Sequence, residues 1–175
     1  MIKTQVIDNF LPIDKLEKIK SIIFNVEFPI FWNDNVTNTE LNYIKGADEQ
    51  LDYKFNRHCF THVLYENNKP NSNFYYDISE AFLDKLEVRA LSRIKINMYP
   101  RTDTLIEHGF HKDNPYVSKG ALFSLNTCDG YTHFKDDQKV DSIENRMIIF
   151  DAGSYHSGTN TTNKNRRVNI NFNYF

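Results

Sequence analysis

The sequence predicts an α+β domain in which helices precede a double-sheet jelly roll or barrel. Apolar residues recur at the helical period in two segments of the first ninety residues, whereas from Arg93 onward they alternate with a period of two. Glycines separate the alternating runs, as turns between short strands require. We therefore predict one domain, 1–175, with a helical and loop flank over 1–92 and a β-sheet core over 93–175.

The N-terminal flank contains both helical segments. Three apolar residues share one helical face shortly after Pro12: Leu16, Ile19 and Ile23. Residues 77–80 resemble a capping box, and the apolar positions after them predict a helix through about Arg89. Between the two helices, residues 29–75 are rich in Asn, Asp and Tyr without a clear period, which indicates loops with short strands. We expect a lid or a substrate-contacting surface there.

The first and last strands of the core each have one apolar and one polar face, because successive side chains alternate across a strand. The polar side of the first strand contains Arg93, Lys95, Asn97 and Tyr99. The polar side of the last strand contains Arg167, Asn169, Asn171 and Asn173. Shorter runs predict further strands at 121–126, 131–134 and 147–150. A polar face lines either solvent or a polar cavity, and the sequence leaves both open.

Composition disfavours several classes of protein. The 21 Lys and Arg against 23 Asp and Glu give a formal net charge of −2, so no global positive field attracts nucleic acid or an anionic membrane. No apolar run is long enough for a signal peptide or a membrane span. Cys59 and Cys128 lie far apart without a CxxC motif, which predicts reduced thiols and a cytoplasmic location.

His111 and Asp113 form the one H-x-D pattern in the chain. On a strand, residues two apart share a face, so this imidazole and this carboxylate would point at the same spot. They would supply two of the three ligands of a two-His-one-carboxylate site, which leaves open positions on Fe(II). His156, which follows a buried run and a Gly-Ser turn, is the expected third ligand, and His133 is the alternative. The remaining three histidines are expected outside the site: His58, His62 and His108.

Arg167 lies beyond His156, on the polar side of the last strand. A guanidinium near such a metal can bind the far carboxylate of a dicarboxylate whose keto-acid end chelates the ion. Arg166 is adjacent but points to the opposite face of the strand.

Together these residues resemble the 2-oxoglutarate- and Fe(II)-dependent dioxygenase superfamily, and above all its prolyl 4-hydroxylase-like branch, over roughly 93–175. The matching motifs, in chain order, are Tyr99-Pro100, His111-Lys112-Asp113-Asn114-Pro115, Asp129-Gly130, the strand Asn145-Arg146 to Phe150, and Arg167 with Ile170, Tyr174 and Phe175. The chain also resembles small phage-encoded oxygenases.

The resemblance implies a double-stranded β-helix (jelly-roll) core with N-terminal helices packed on one sheet. It also implies Fe(II) bound by His111, Asp113 and His156. Arg167 would bind 2-oxoglutarate, with a further hydrogen bond from Tyr99, and ascorbate would serve as reductant. Oxygen-sensing relatives place a Tyr near that carboxylate where this chain has Ser124, which leaves space for water or weakens co-substrate binding.

The implied reaction is hydroxylation of a C–H bond, with release of succinate and CO2. The substrate would be a protein, a peptide or a small molecule, with prolyl residues favoured through the resemblance alone. The location would be the cytoplasm, of the host if the protein is phage-encoded. The oligomeric state is left open.

Two other functions are consistent with the motifs. One is a non-catalytic jelly-roll binding or structural protein that retains them by descent. The other is a metal-dependent cupin-like enzyme without 2-oxoglutarate, against which Arg167 on a polar strand face argues. Within the oxygenase class, the near-neutral charge disfavours a nucleic-acid demethylase.

Overall fold

A computed structural model describes residues 2–36 and 57–175. Within these residues the chain forms two short helices, α1 (Ile13–Ile23) and α2 (Tyr75–Leu83). The strands are β1 (Gln5–Ile7), β2 (Phe31–Asn33), β3 (Cys59–Glu66), β4 (Lys69–Pro70), β5 (Leu91–Pro100), β6 (Lys119–Ser124), β7 (Tyr131–Phe134), β8 (Lys139–Asp141), β9 (Arg146–Asp151), β10 (His156–Gly158) and β11 (Arg166–Tyr174). The described part is therefore mostly β, and the α+β prediction overstates its helical share.

Two antiparallel sheets form the core. The main sheet has eight strands in the order β1-β9-β6-β11-β5-β3-β2, with β4 paired to β3, and the smaller sheet has the order β10-β7-β8. Strands β5 and β11 are neighbours near the middle of the main sheet. Their register pairs Arg167 with Tyr99 and Asn171 with Lys95, so the polar faces predicted for the two strands lie on the same side of the sheet.

The N-terminal flank contributes more than helices and loops. Strand β1 extends one edge of the main sheet through β9, and β2, β3 and β4 extend the other beyond β5. The last three of these strands lie in the segment 29–75, where loops with short strands were predicted. Residues 37–56 of that segment, and with them part of the predicted lid or substrate surface, lie outside the described residues.

Both helices pack on one face of the main sheet, as predicted. The buried face of α1 consists of Leu16, Ile19 and Ile23, the three residues that the helical period indicated. From α2, the Phe82 ring lies 4.9 Å from that of Phe123 and 4.9 Å from that of Phe172. Burying an aromatic or aliphatic side chain of this size contributes about 1.5–3 kcal/mol, so this layer anchors the flank to the sheet.

The predicted capping box at residues 77–80 is wrong. Helix α2 begins at Tyr75, its N-terminal cap is Phe74 without a side-chain hydrogen bond, and it ends at Leu83. Asp77 instead lies in the first turn and accepts a hydrogen bond from Lys18 of α1 at 3.2 Å. A carboxylate in the first turn is still favourable toward the helix dipole. Asp77 therefore contacts α1 and does not cap α2.

Asp129 joins the start of β7 to the loop that precedes β11. Its carboxylate accepts hydrogen bonds from the Thr161 hydroxyl at 2.7 Å and from the Thr162 backbone N–H at 3.0 Å. Burial opposes ionisation, but the hydrogen bonds from Thr162 and Thr161 outweigh it and lower the pKa of Asp129 to about 2. The ionised carboxylate therefore stabilises this loop.

We expect Asp129→Asn to lower the free energy of unfolding at pH 7 by about 1–2 kcal/mol. Hydrogen bonds to a charged group contribute about 1.5–3 kcal/mol, and solvent screening reduces this at a partly buried position. Because folding lowers the pKa of Asp129, its ionised carboxylate stabilises the folded state fully at pH values above the ordinary pKa of 3.8. This stabilisation is lost as the pH falls toward 2, where the folded protein also takes up the proton. Urea unfolding of wild type and variant at pH 7 and below pH 3 should therefore give a difference that shrinks with acidification. Asp103→Asn, at an exposed position, is the control. If the variant were destabilised equally at both pH values, the stabilising role of the ionised Asp129 carboxylate would be wrong.

Candidate metal centre and adjoining cavity

His111 and His156 are held opposite one another by the backbone. The two residues form an isolated antiparallel bridge, with an N–H to carbonyl hydrogen bond of 2.9 Å in each direction. The Asp113 N–H donates to the Ala152 carbonyl at 3.0 Å, which fixes the end of the H-x-D pattern against the same segment. His111 lies in this bridge rather than in a regular strand, which corrects the prediction of its local structure. His156 begins β10, at a strand end as predicted.

The three predicted ligands converge. His111 Nε2 lies 3.9 Å from Asp113 Oδ1, and His156 Nε2 lies 4.0 Å from Asp113 Oδ2. One ligand atom from each residue falls within 4.8 Å of the others. Two metal–ligand bonds of about 2.1 Å span at most about 4.2 Å, so the three side chains lie close enough to share an ion after small inward movements.

His133, the alternative third ligand, lies elsewhere. Its Nδ1 is 2.6 Å from Glu107 Oε1, in a polar cluster to which Tyr131 and Ser157 also donate hydrogen bonds. The other histidines also lie outside the convergent group, as predicted. His62, for example, is buried between the Pro29 carbonyl and the Ser72 hydroxyl.

The protonation states suit metal binding. Burial, followed by the charge of nearby His156, lowers the pKa of His111 to about 4, which leaves the imidazole neutral at neutral pH. Burial alone would raise the pKa of Asp113, but His156, Arg93 and a hydrogen bond from Asn173 together hold it below its usual range. A neutral imidazole and an ionised carboxylate are the forms that bind metal ions.

Three side chains fix the Asp113 carboxylate. Arg93 lies 3.2 Å from Oδ1, and the amides of Asn171 and Asn173 donate to Oδ2 at 3.1 Å and 3.0 Å. These groups come from the polar faces of β5 and β11. The alternation in the sequence placed each of these side chains on the polar face of its own strand. Only the pairing of β5 with β11 shows that they converge on the Asp113 carboxylate and orient it.

The polar faces of β5 and β11 therefore line a cavity rather than solvent. The four polar residues of β11 are all buried: Arg167, Asn169, Asn171 and Asn173. The first three of them, with Tyr99, Leu122 and Thr132, enclose a narrow cleft that also contains the His111, Asp113 and His156 side chains. The three candidate ligands and Arg167 thus share one cleft.

Arg167 is buried without an anionic partner among the described residues. Its Nη1 donates to the Thr159 carbonyl at 2.8 Å and its Nη2 to the Thr132 hydroxyl at 3.0 Å, while Nε has no hydrogen-bond partner. The side chain is 1% exposed, and burial lowers its pKa. A buried guanidinium without a counter-ion costs several kcal/mol, so this position favours binding of an anion.

The surroundings of Arg167 are tightly packed. A Cβ at Gly130 would overlap the Asn160 carbonyl oxygen and lie 2.7 Å from Arg167 Cδ, so the residue just before β7 has no room for a side chain. Arg166 points the other way, with its guanidinium 4.5 Å from the centre of the Phe24 ring. The predicted choice of Arg167 over Arg166 for the cavity face agrees with this arrangement.

Tyr99 and Ser124 occupy different positions relative to the cleft. The Tyr99 ring lines it, with its centre 5.6 Å from the Arg167 guanidinium carbon. Ser124 pairs with Asn169 across the sheet, and its buried hydroxyl has no hydrogen-bond partner among the described residues. From β6 it is Leu122, two residues earlier, that lines the cleft.

Both cysteines are free and buried, and no helix in the described ranges is long and apolar enough to cross a membrane.

No protein-family model matches the sequence, and none of the curated proteins matches it. Three solved structures illustrate the similarity of fold. A prolyl hydroxylase from Trichoplax adhaerens, in complex with a hypoxia inducible factor peptide fragment, has a TM-score of 0.65 and 12% identity, covering 98% of this chain and 83% of that chain. A 2OG-Fe(II) oxygenase family oxidoreductase from Burkholderia pseudomallei has a TM-score of 0.60 and 14% identity, covering 98% and 84%.

The third structure is a viral collagen prolyl hydroxylase from Paramecium Bursaria Chlorella virus-1 in its 2OG complex. It has a TM-score of 0.56 and 12% identity, covering 97% of this chain and 94% of that chain. At these identities the similarity concerns the fold. The chain therefore has the fold of prolyl hydroxylases and related 2OG-Fe(II) oxygenases, and the resemblance indicated by the sequence motifs is confirmed at that level.

Proposed function

We propose that the protein is a 2-oxoglutarate- and Fe(II)-dependent dioxygenase of the prolyl 4-hydroxylase-like type. The observation that carries the proposal is one cleft with two complementary parts. Its metal-ligating group consists of His111, Asp113 and His156, and Arg167 is buried beside it without a described counter-ion. A dicarboxylate that chelates a metal at one end and needs a guanidinium at the other matches both parts.

In this proposal His111, Asp113 and His156 hold Fe(II), and Asp113 supplies the one negative charge among them. The bound ion, together with 2-oxoglutarate, supplies the oxidising chemistry. Arg93, together with the two asparagine amides that donate to Asp113, keeps the carboxylate in a single orientation toward the ion.

Arg167 binds the far carboxylate of 2-oxoglutarate through its N–H groups, and the Tyr99 hydroxyl adds a hydrogen bond. The Leu122 side chain forms an apolar wall of the cleft and limits the access of water. Ser124 pairs with Asn169 outside the lining of the cleft, so the proposal assigns it no contact with the co-substrate. Ascorbate is the proposed reductant by resemblance to other members of the superfamily.

The proposed substrate is a prolyl residue in a peptide or protein, or a related small molecule. Support comes from two of the similar structures, one a prolyl hydroxylase with a bound peptide fragment and the other a collagen prolyl hydroxylase. The proposed location is the cytoplasm, of a bacterial host if the gene belongs to a phage.

The test is conversion of 2-oxoglutarate to succinate by the purified full chain with Fe(II), followed by mass spectrometry with and without peptide and metabolite libraries. We expect succinate, competitive inhibition by N-oxalylglycine, and a product 16 Da heavier than its substrate. Without Fe(II), succinate should not form. If no succinate forms under any condition while N-oxalylglycine also fails to bind, the proposed function is wrong and a non-catalytic binding protein is favoured.

A further inference from the structure

An open groove of about 770 Å³ lies in front of the candidate metal centre. It shares His111, Asp113 and Lys95 with the cleft that contains Arg167, so a molecule in the groove would lie beside the metal centre. In the proposed function, the groove is the side of the site from which a substrate would reach the metal centre.

The charged residues that line the groove are mostly cationic. They are Arg93, Lys95 and Lys112, against the single carboxylate of Asp113. A divalent ion bound at the metal centre would add further positive charge. Among the described residues, the electrostatic field in this groove therefore favours an anionic molecule.

Two of the three cations are already engaged. Arg93 lies 3.2 Å from the Asp113 carboxylate, and exposed Lys112 lies with its ammonium 4.7 Å from the centre of the Tyr155 ring. Lys95 is half-buried, and no described carboxylate forms an ion pair with it. Two carboxylates act on the charge of Lys95 without pairing with it. They are Asp113, the candidate metal ligand, and more weakly Glu66, which lines a different pocket.

The position of Lys95 decides what its ammonium can reach. It lies on the polar face of β5, opposite Asn171 of β11 and Val63 of β3, where the groove meets the cleft. In the proposed function, both carboxylates of 2-oxoglutarate already have partners, one in the ion and one in Arg167. Lys95 is then the cation available for an additional anionic group.

We propose that Lys95 selects a substrate that carries a carboxylate close to the carbon that is oxidised. The carboxylate belongs either to an acidic side chain of a peptide or to a free amino or imino acid. This inference rests on the proposed function, because it names the substrate class of that site. Lys95 acts as a specificity determinant, whereas the metal ligands and Arg167 carry the reaction.

The test compares probes that differ only in charge. One pair is acetyl-Asp-Pro-Asp-amide and acetyl-Asn-Pro-Asn-amide, and the other is L-proline and L-prolinamide. Binding to the full chain with Zn(II) and saturating N-oxalylglycine is measured by ligand-observed NMR and calorimetry. We expect the acidic member of at least one pair to bind about tenfold more tightly, as for one charge-assisted hydrogen bond. The pair that shows the preference identifies the source of the carboxylate.

Variants test whether the preference comes from Lys95. Lys95→Met should reduce it to about twofold or less, and Lys95→Arg should keep most of it, because the charge is retained. Lys18→Met, which does not line the groove, should leave it unchanged. Circular dichroism verifies that each variant folds.

The outcomes separate the two proposals. If N-oxalylglycine binds but neither acidic probe is preferred, or if the preference persists in folded Lys95→Met, the role of Lys95 is wrong and the dioxygenase proposal is unaffected. If N-oxalylglycine itself does not bind with Zn(II), the proposed function is wrong.

Discussion

Asp113→Asn is expected to reduce succinate formation by more than about 100-fold, beyond the usual cost of losing only a partner of a metal ligand. Asparagine has nearly the same shape, so the substitution removes the negative charge and little else. The ion would be left with neutral ligands. In addition, the donors that now converge on the carboxylate would face a weaker acceptor, since Arg93, Asn171 and Asn173 all point at it. Succinate is measured by mass spectrometry and bound metal by elemental analysis.

Glu66→Gln is the matched control for this prediction. It also removes one carboxylate near β5, but Glu66 is not a candidate ligand and lines a neighbouring pocket. Its succinate formation should stay within a few-fold of wild type. A folded Asp113→Asn protein with wild-type turnover would show that the metal, if bound, is held by other groups.

Arg167→Ala is expected to raise the 2-oxoglutarate KM by about 10- to 100-fold, because hydrogen bonds to a charged group contribute about 1.5–3 kcal/mol. Arg167→Lys should have a smaller effect, since it keeps the charge but loses the planar fork. Iron binding should persist in both variants, because Arg167 is not among the convergent ligands. Steady-state kinetics at varied 2-oxoglutarate concentration gives the KM, and elemental analysis gives the bound metal. The two measurements together distinguish weaker 2-oxoglutarate binding from loss of the metal.

The neighbouring arginine provides the control for Arg167. Arg166→Ala removes an equal charge, but its side chain packs over the Phe24 ring on the other face of β11. Its KM for 2-oxoglutarate should be unchanged. If Arg166→Ala raised the KM and Arg167→Ala did not, the two faces of β11 would be reversed, as a register shift of one residue produces.

Local periodicity predicted the features that depend on one element. The helical spacing of Leu16, Ile19 and Ile23 corresponds to the buried face of α1. The alternation in β5 and β11 sorted their side chains correctly into two faces, because a strand has a period of two whatever lies beside it. The same rule separated Arg167 from Arg166. The order of motifs along the chain also indicated the fold that the solved structures share.

The local sequence pattern did not predict features that depend on contacts between distant elements. Helix α2 starts before the predicted capping box, and Asp77 contacts Lys18 instead of capping the helix. Strands β1 to β4 belong to the main sheet although they lie in the predicted flank. Each of these features depends on a partner that lies far away in the sequence, and the helix or strand propensity of a segment contains no information about that partner.

The sequence by itself determined the candidate ligands and the polar faces, because residue type and spacing are local properties. Only the tertiary structure decided what those faces enclose. The pairing of β5 with β11 brings Arg93, Asn171 and Asn173 onto the Asp113 carboxylate, and the His111–His156 bridge favours His156 over His133. The pairing also places Lys95 where the cleft meets the groove. The physical reason is that strand register is set by burial and hydrogen bonding across the whole sheet, and no single strand contains that information.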